Sequence, residues 1–206
     1  MNKTTYYIFI VTVAINLLVF IPHIGFTHGG ATRWINLGII TFQPSELLKL
    51  AIVIYFAAWL SNIKEKIYQF KFGLIPLLIL LCISGIILLL QPDLGTFLVI
   101  FFSIIGMYLV AGAKWRDLLI LVSTLLIVFL LLCFFRPYVQ ERVLTFLNPN
   151  RDPLGSGYQI QQSLIAIGSG GLFGRGFGQS VQKFNYLPEP IGDSIFAVAG
   201  EEFGFV

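Results

Sequence analysis

Residues 118–135 read LLILVSTLLIVFLLLCFF. The stretch carries no charge and is close to the length of about 20 residues that crosses a bilayer as an α-helix. Four runs of the same kind come before it: Tyr6–Ile24, Ser45–Ile63, Phe72–Leu90 and Thr96–Ala113. A sixth begins at about Ser194 and stops at Val206. Composition agrees, with 57% hydrophobic and 11% charged residues, where a soluble domain carries roughly 25% charged. Mean hydropathy is +0.87. The sequence therefore predicts an all-α membrane protein, a polytopic transmembrane helix bundle. The first run is too long for a signal peptide and lacks a small-residue cleavage site, so it is expected to be retained. The sixth is too short to span, so the chain is expected to be a piece of a longer protein.

The charges that remain are informative by position. The net charge is only +3, and the basic residues form no cluster, which excludes nucleic-acid binding. The loops "SNIKEKIYQFKFG" (61–73) and "GAKWRD" (112–117) carry Lys64, Lys66, Lys71, Lys114 and Arg116, and Lys3 precedes the first run. If every run spans, these three segments share one side, which the positive-inside rule makes cytoplasmic. The other side receives "HIGFTHGGATRWINLGIITFQP" (23–44), "QPDLG" (91–95) and the long segment 136–193. That last segment is rich in Gly and Pro and too long for an idle connection. Cys82 and Cys133 lie inside apolar runs without a Cys or His at metal spacing, and are expected to be buried thiols. His23 and His28 have no third ligand in view and are expected to be solvated or interfacial.

Several polar residues fall where a membrane tolerates them poorly. Ser45 is a plausible N-cap of the second helix. Glu46 and Lys49 are three apart, hence neighbours on one face; they are either an interfacial ion pair or the polar wall of a cavity. Asp93 lies in the tight outer turn of "QPDLG" and as a turn residue needs no function. Arg33 suits a lipid phosphate or a bound pyrophosphate, and Trp34 an interfacial anchor. "GSGGLFGRGFGQS" (168–180) matches no nucleotide-binding pattern and suits a hinge or a close backbone approach to substrate. Asp193 at the mouth of the last run is either a helix N-cap or a general base. Glu201 and Glu202 sit inside that apolar run and must find partners.

Four blocks together resemble one family: "GATRWINLGIITFQPSELLKLA" (30–51), "QPDLGT" (91–96), "NPNRDPLGSGYQIQQSLIAIGSGGLFGRGFGQSVQKFNYLPEP" (148–190) and "DSIFAVAGEEFGF" (193–205). They look like the shape, elongation, division and sporulation (SEDS) family of bacterial membrane proteins. The wording "GQSVQKFNYLPE" (178–189) is closer to its division branch. The resemblance implies a ten-helix fold, of which this chain would hold helices three to seven and the start of eight. It implies one SEDS-type membrane domain over residues 1–206, with residues 136–193 as its large extracytoplasmic loop, in the bacterial cytoplasmic membrane.

The activity it implies is a peptidoglycan glycosyltransferase that polymerises lipid II into glycan strands during cell division. Asp193 matches the family's essential aspartate, which would deprotonate the attacking sugar hydroxyl. The usual wording there is similar to "HTDFIFA"; here it reads "IGDSIFA" (191–197), with the aspartate kept and its neighbours changed. Glu46 and Lys49 match the family's pair in "PSELLKL" (44–50), and Arg33 matches its arginine before tryptophan. Gln91, Asp93, Gln159, Ser169, Arg175, Lys183, Glu189 and Glu201 complete the residues expected to bind substrate. No metal-ligand set is expected, although a divalent cation, Mg or Mn, could accompany the pyrophosphate. The expected partners are nascent glycan, a class B penicillin-binding transpeptidase and other division membrane proteins. The competing readings are a lipid II flippase and a non-catalytic division scaffold.

Overall fold

The computed structural model describes residues 3–206 except 23, 29, 30, 37, 39, 40, 65, 153, 156 and 185; the side chains of residues 28 and 31 are also outside the description. The expectation for the two histidines therefore lies outside the described residues. The chain forms two compact units, Met1–Thr124 and Leu125–Val206.

The first unit contains α1 (Lys3–Leu18), a small sheet, α2 (Pro44–Asn62), α3 (Leu74–Leu90), α4 (Leu94–Val110) and the first half of α5 (Trp115–Phe135). Helix α2 is its centre. Leu48, Ile52 and Phe56 recur every fourth residue, so they share one face, and all three are buried. Leu77 and Leu88 of α3 and Ile100 and Ile104 of α4 are buried as well. The apolar side chains of α5 behave differently. Leu119, Val122, Leu126, Leu130 and Phe134 are exposed, the pattern of a helix that meets lipid on most of its surface. Among the described residues, two helices, α2 and α5, are long and apolar enough to cross a membrane, and α5 reaches a mean hydropathy of 3.2. Helices α1, α3 and α4 are apolar but only 16 or 17 residues long.

The sheet is the first departure from the sequence reading, which gave 23–44 as a loop. Strands β1 (Gly25–His28), β2 (Ala31–Asn36) and β3 (Thr41–Phe42) form an antiparallel meander in the order β1-β2-β3. Phe26 pairs with Trp34 and Ile35 with Phe42. It is a minor element, and the fold remains mostly helical as expected.

The second unit contains the rest of α5, α6 (Pro137–Leu147), a 3-10 turn (Pro149–Arg151), α7 (Tyr158–Gly170) and α8 (Ile195–Phe203). The segment read as a loop thus holds two helices. Pro137 begins α6 at a position where its missing N–H costs nothing. The Gln161 side chain donates to Pro149 O (3.1 Å) and Asn150 Oδ1 (3.0 Å), tying the 3-10 turn to α7. Helices α7 and α8 pack through small residues. Ala166 and Ala197 are buried with Leu187, and a Cβ on Gly170 would collide with the Gly200 carbonyl. Small residues at a helix contact let two backbones approach closely.

Two expectations need correction. Cys82 is exposed on α3 and Cys133 half-buried on α5, so neither is a buried thiol. Ser45 is not the N-cap of α2. Gln43 holds that position, with no side-chain cap, because Pro44 already occupies the first helical turn and the Ser45 hydroxyl is turned to Asp93.

Candidate functional site

The first unit holds a buried polar knot. Asp93 is the N-cap of α4, and its Oδ1 accepts from the Thr96 N–H at 3.1 Å. Its Oδ2 accepts from the Gln43 side-chain amide at 3.1 Å and from the Ser45 hydroxyl at 3.2 Å. Asp93 is buried, so its carboxylate already serves three protein donors and ties the start of α2 to the α3–α4 turn. Gln91 is buried beside that turn. Its amide donates to Asn16 O at 3.1 Å, and its Oε1 has no partner among the described residues.

The other expected residues of this unit are more open. Lys49 and Glu46 form an ion pair of 2.8 Å in the first turn of α2, with side chains 27% and 55% exposed. The three-residue spacing had implied that they are neighbours. Arg33 lies on β2, half-buried, with its Nε buried and unpartnered among the described residues.

The second unit sorts its carboxylates into two kinds. Glu201 is fully buried. Its Oε2 accepts from the Ser180 hydroxyl (2.6 Å) and the Gln182 N–H (3.2 Å), and its Oε1 from the Val181 N–H (3.1 Å). Arg175 Nη1 stands 3.5 Å from the same Oε1. Glu202 pairs with Lys183 at 2.7 Å and accepts from the Ser180 N–H at 3.4 Å. Both carboxylates have found partners, in the glycine-rich loop and in residues 181–183 that follow it. That loop returns the favour: the N–H groups of Arg175 and Gly176 donate to the carbonyls of Glu201 and Glu202, each at 2.9 Å. These carbonyls are among the orphan acceptors at the end of α8. Gly174 takes φ +73° here, and a Cβ on it would collide with Glu202 O. The segment is expected to be a hinge or to approach substrate closely; the close approach that its backbone makes here is to α8. Ser169 donates to Ala166 O at 2.9 Å, within α7.

Asp193 is the other kind. It is exposed, and among the described residues its carboxylate has no hydrogen-bond or ion-pair partner. It does not cap α8. Ser194 occupies the N-cap position, and its hydroxyl donates to Pro188 O at 3.2 Å. The turn before α8 is built by Glu189, at φ +46°, whose carbonyl accepts from the N–H groups of Asp193 (3.1 Å) and Ser194 (3.2 Å). The Gln159 side chain reaches the Ser194 hydroxyl at 3.5 Å.

Asp193 opens into a cleft of about 460 Å³, lined by Tyr138, Glu141, Arg142, Thr145 and Phe146 of α6 and by Gln159 and Ile160 of α7. That volume lies within the range of about 300–1,000 Å³ typical of small-ligand sites. Of the residues expected from sequence, the cleft brings together Asp193 and Gln159. It adds Glu141 and Arg142, which sequence reasoning missed. The signal was present: Pro137 followed by apolar residues at helical spacing marks a helix start, and on that helix Tyr138 and Arg142 stand one turn apart. No three His, Cys, Asp or Glu side chains gather among the described residues. The cleft does hold two carboxylates, Glu141 and Asp193, and Mg²⁺ is commonly held by one or two carboxylates plus substrate phosphates.

The FtsW/RodA/SpoVE family model, described as cell cycle protein, matches residues 1–206. Stage V sporulation protein E of Bacillus subtilis (strain 168) is 45% identical over 92% of this chain and 52% of its own length. A probable peptidoglycan glycosyltransferase FtsW of Buchnera aphidicola subsp. Schizaphis graminum is 38% identical over 96% of this chain and 56% of its own. Among solved structures, a chain from a peptidoglycan synthase complex that coordinates polymerization and crosslinking superposes with a TM-score of 0.70. It is 28% identical, covering 98% of this chain and 55% of that one. The chain thus spans about half the length of the curated relatives it matches. With its whole length matched, it belongs to the FtsW/RodA/SpoVE family of membrane proteins.

Proposed function

We propose that this chain is the part of a peptidoglycan glycosyltransferase that carries the general base, Asp193, and that the whole protein polymerises lipid II in the bacterial cytoplasmic membrane. The observation that carries the reading is the contrast among carboxylates. Glu201, Glu202 and Asp93 are spent on protein donors, while Asp193 is exposed at a cleft and has no partner among the described residues. A base must be free to receive a proton. The relatives' names support the same chemistry.

In the step proposed, the hydroxyl oxygen of one sugar attacks the anomeric carbon of another. The new C–O bond forms as the bond from that carbon to the diphosphate breaks. The diphosphate leaves with the electron pair, and the hydroxyl proton passes to Asp193. Gln159 keeps the start of α8 in register through Ser194. A divalent cation arriving with the diphosphate would be held by Glu141 and the substrate's own phosphates, and would neutralise charge there. The expected partner is a class B penicillin-binding transpeptidase, in line with the coupled polymerization and crosslinking of the structural neighbour.

Orientation gives one test. The lysine-bearing loops 61–73 and 112–117 are assigned to the cytoplasm and residues 136–193 to the outer face. Leu154 is 91% exposed. In a chain freed of Cys82 and Cys133, Leu154→Cys should react with an impermeant thiol reagent on intact spheroplasts. Labelling only after the membrane is opened would reverse the assignment and remove the base from the outer face.

The Glu46–Lys49 pair gives another. As a half-exposed pair it contributes about 0–1 kcal/mol to stability. If substrate uses Lys49, Lys49→Met should abolish glycan synthesis while membrane level and unfolding temperature stay near wild type. Full activity at normal protein level would leave the pair a surface feature.

A further inference from the structure

The cleft of Asp193 carries a cation beside its two carboxylates. Arg142 lines it from α6. Its guanidinium carbon sits 4.7 Å from the centroid of the Tyr138 ring, one turn earlier on the same helix. A guanidinium held over a ring by this attraction still has N–H donors to give to other groups. None of the ion pairs among the described residues involves Arg142, although Glu141 is adjacent in sequence and Asp193 lines the same cleft. A guanidinium steadied by a ring and unclaimed by any carboxylate presents a planar fork that matches phosphate oxygens two at a time.

The geometry of the reaction says which phosphate. In glycosyl transfer the attacking hydroxyl and the departing oxygen flank the same carbon, so both must lie in one cleft. The diphosphate on the acceptor substrate is different: it lies a whole disaccharide away from the hydroxyl that attacks. A cleft that contains the base therefore has room for the donor's diphosphate and not the acceptor's. We propose that Arg142 is the residue that binds the donor's diphosphate, meeting the negative charge it gains as the sugar–oxygen bond breaks and its electron pair stays on phosphate. The proposal rests on Asp193 being the base of this cleft.

The test uses full-length protein in detergent and three fluorescent probes: a polyprenyl diphosphate, a polyprenyl monophosphate and an uncharged polyprenol. Wild type should prefer the diphosphate. Arg142→Gln should weaken diphosphate binding about 10- to 100-fold, the usual worth of a hydrogen-bonded charge contact, and leave polyprenol binding unchanged. Arg142→Lys keeps the charge without the fork and should lose less. Asp193→Asn should bind the diphosphate at least as tightly as wild type, because it removes a negative charge from the same cleft. Unchanged diphosphate binding in Arg142→Gln would overturn the proposal, and so would an equal loss of all three probes, because neither is an anion-specific effect. Glycan synthesis surviving in Asp193→Asn would instead overturn the base assignment, whatever the probes show at Arg142.

Discussion

Asp193→Asn should reduce glycan synthesis by about 10²–10⁴-fold, the usual cost of losing a general base, with the protein still folded. The second half of that expectation comes from the structure. Had Asp193 capped α8, its replacement would have disturbed the helix start, and a loss of activity could be read either way. Ser194 holds the cap position instead, and the turn is fixed by backbone bonds from Asp193 and Ser194 to Glu189 O, which the amide variant keeps. The carboxylate has no protein donor to strand among the described residues. Asp193→Asn should therefore unfold at the wild-type temperature, and the loss should fall on turnover. Asp193→Glu offers a useful companion: it restores a base one methylene out of place and should recover part of the rate. A drop in thermal stability matching the drop in activity would show that the side chain works through structure.

Glu201→Ala should do the reverse, damaging the fold first. The carboxylate accepts from the Ser180 hydroxyl and from the N–H groups of Val181 and Gln182. Removing it strands buried donors at roughly 1–3 kcal/mol each. Water can reach part of this loop, so the sum is smaller than three full penalties, and about 2–5 kcal/mol is expected. The glycine-rich loop and the end of α8 hold each other, so the loss should appear as earlier unfolding and as protease cleavage within residues 171–183. Glu201→Gln keeps the shape and one acceptor oxygen and should recover much of the loss. Wild-type stability with a protected loop in Glu201→Ala would mean that the carboxylate is free for other work, including substrate binding.

The helical plan was legible because unbroken apolarity has one meaning. Residues 118–135 offer no turn signal and no charge, and α5 covers them. The sheet was not legible, because its strands are two to six residues long and are stabilised by pairing with each other, which leaves little period in the sequence. Helices α6 and α7 were hidden by the Gly and Pro around them; Pro137 and Gly171 were read as loop residues when they mark a start and a stop. The carboxylates were legible as a group and not as individuals. Asp193 and Glu201 look alike in sequence, each an acid beside or within an apolar helix. What separates them is tertiary: Ser180, Val181 and Gln182 fold back onto Glu201, and nothing described folds onto Asp193. A single-residue shift in the helix start, from Asp193 to Ser194, decides whether that side chain is used up as a cap or left free.

The measurement closest to the central claim uses the full-length protein together with the proposed class B transpeptidase, reconstituted in vesicles and loaded with lipid II before the reaction is started. Bound lipid II, glycan product and lipid II translocation are read from the same preparation, for wild type and Asp193→Asn. Binding should be equal, with glycan from wild type and none from the variant over the first turnover. Glycan at the wild-type rate from Asp193→Asn would contradict this, and if translocation alone were lost in that variant, the carboxylate would belong to a flippase.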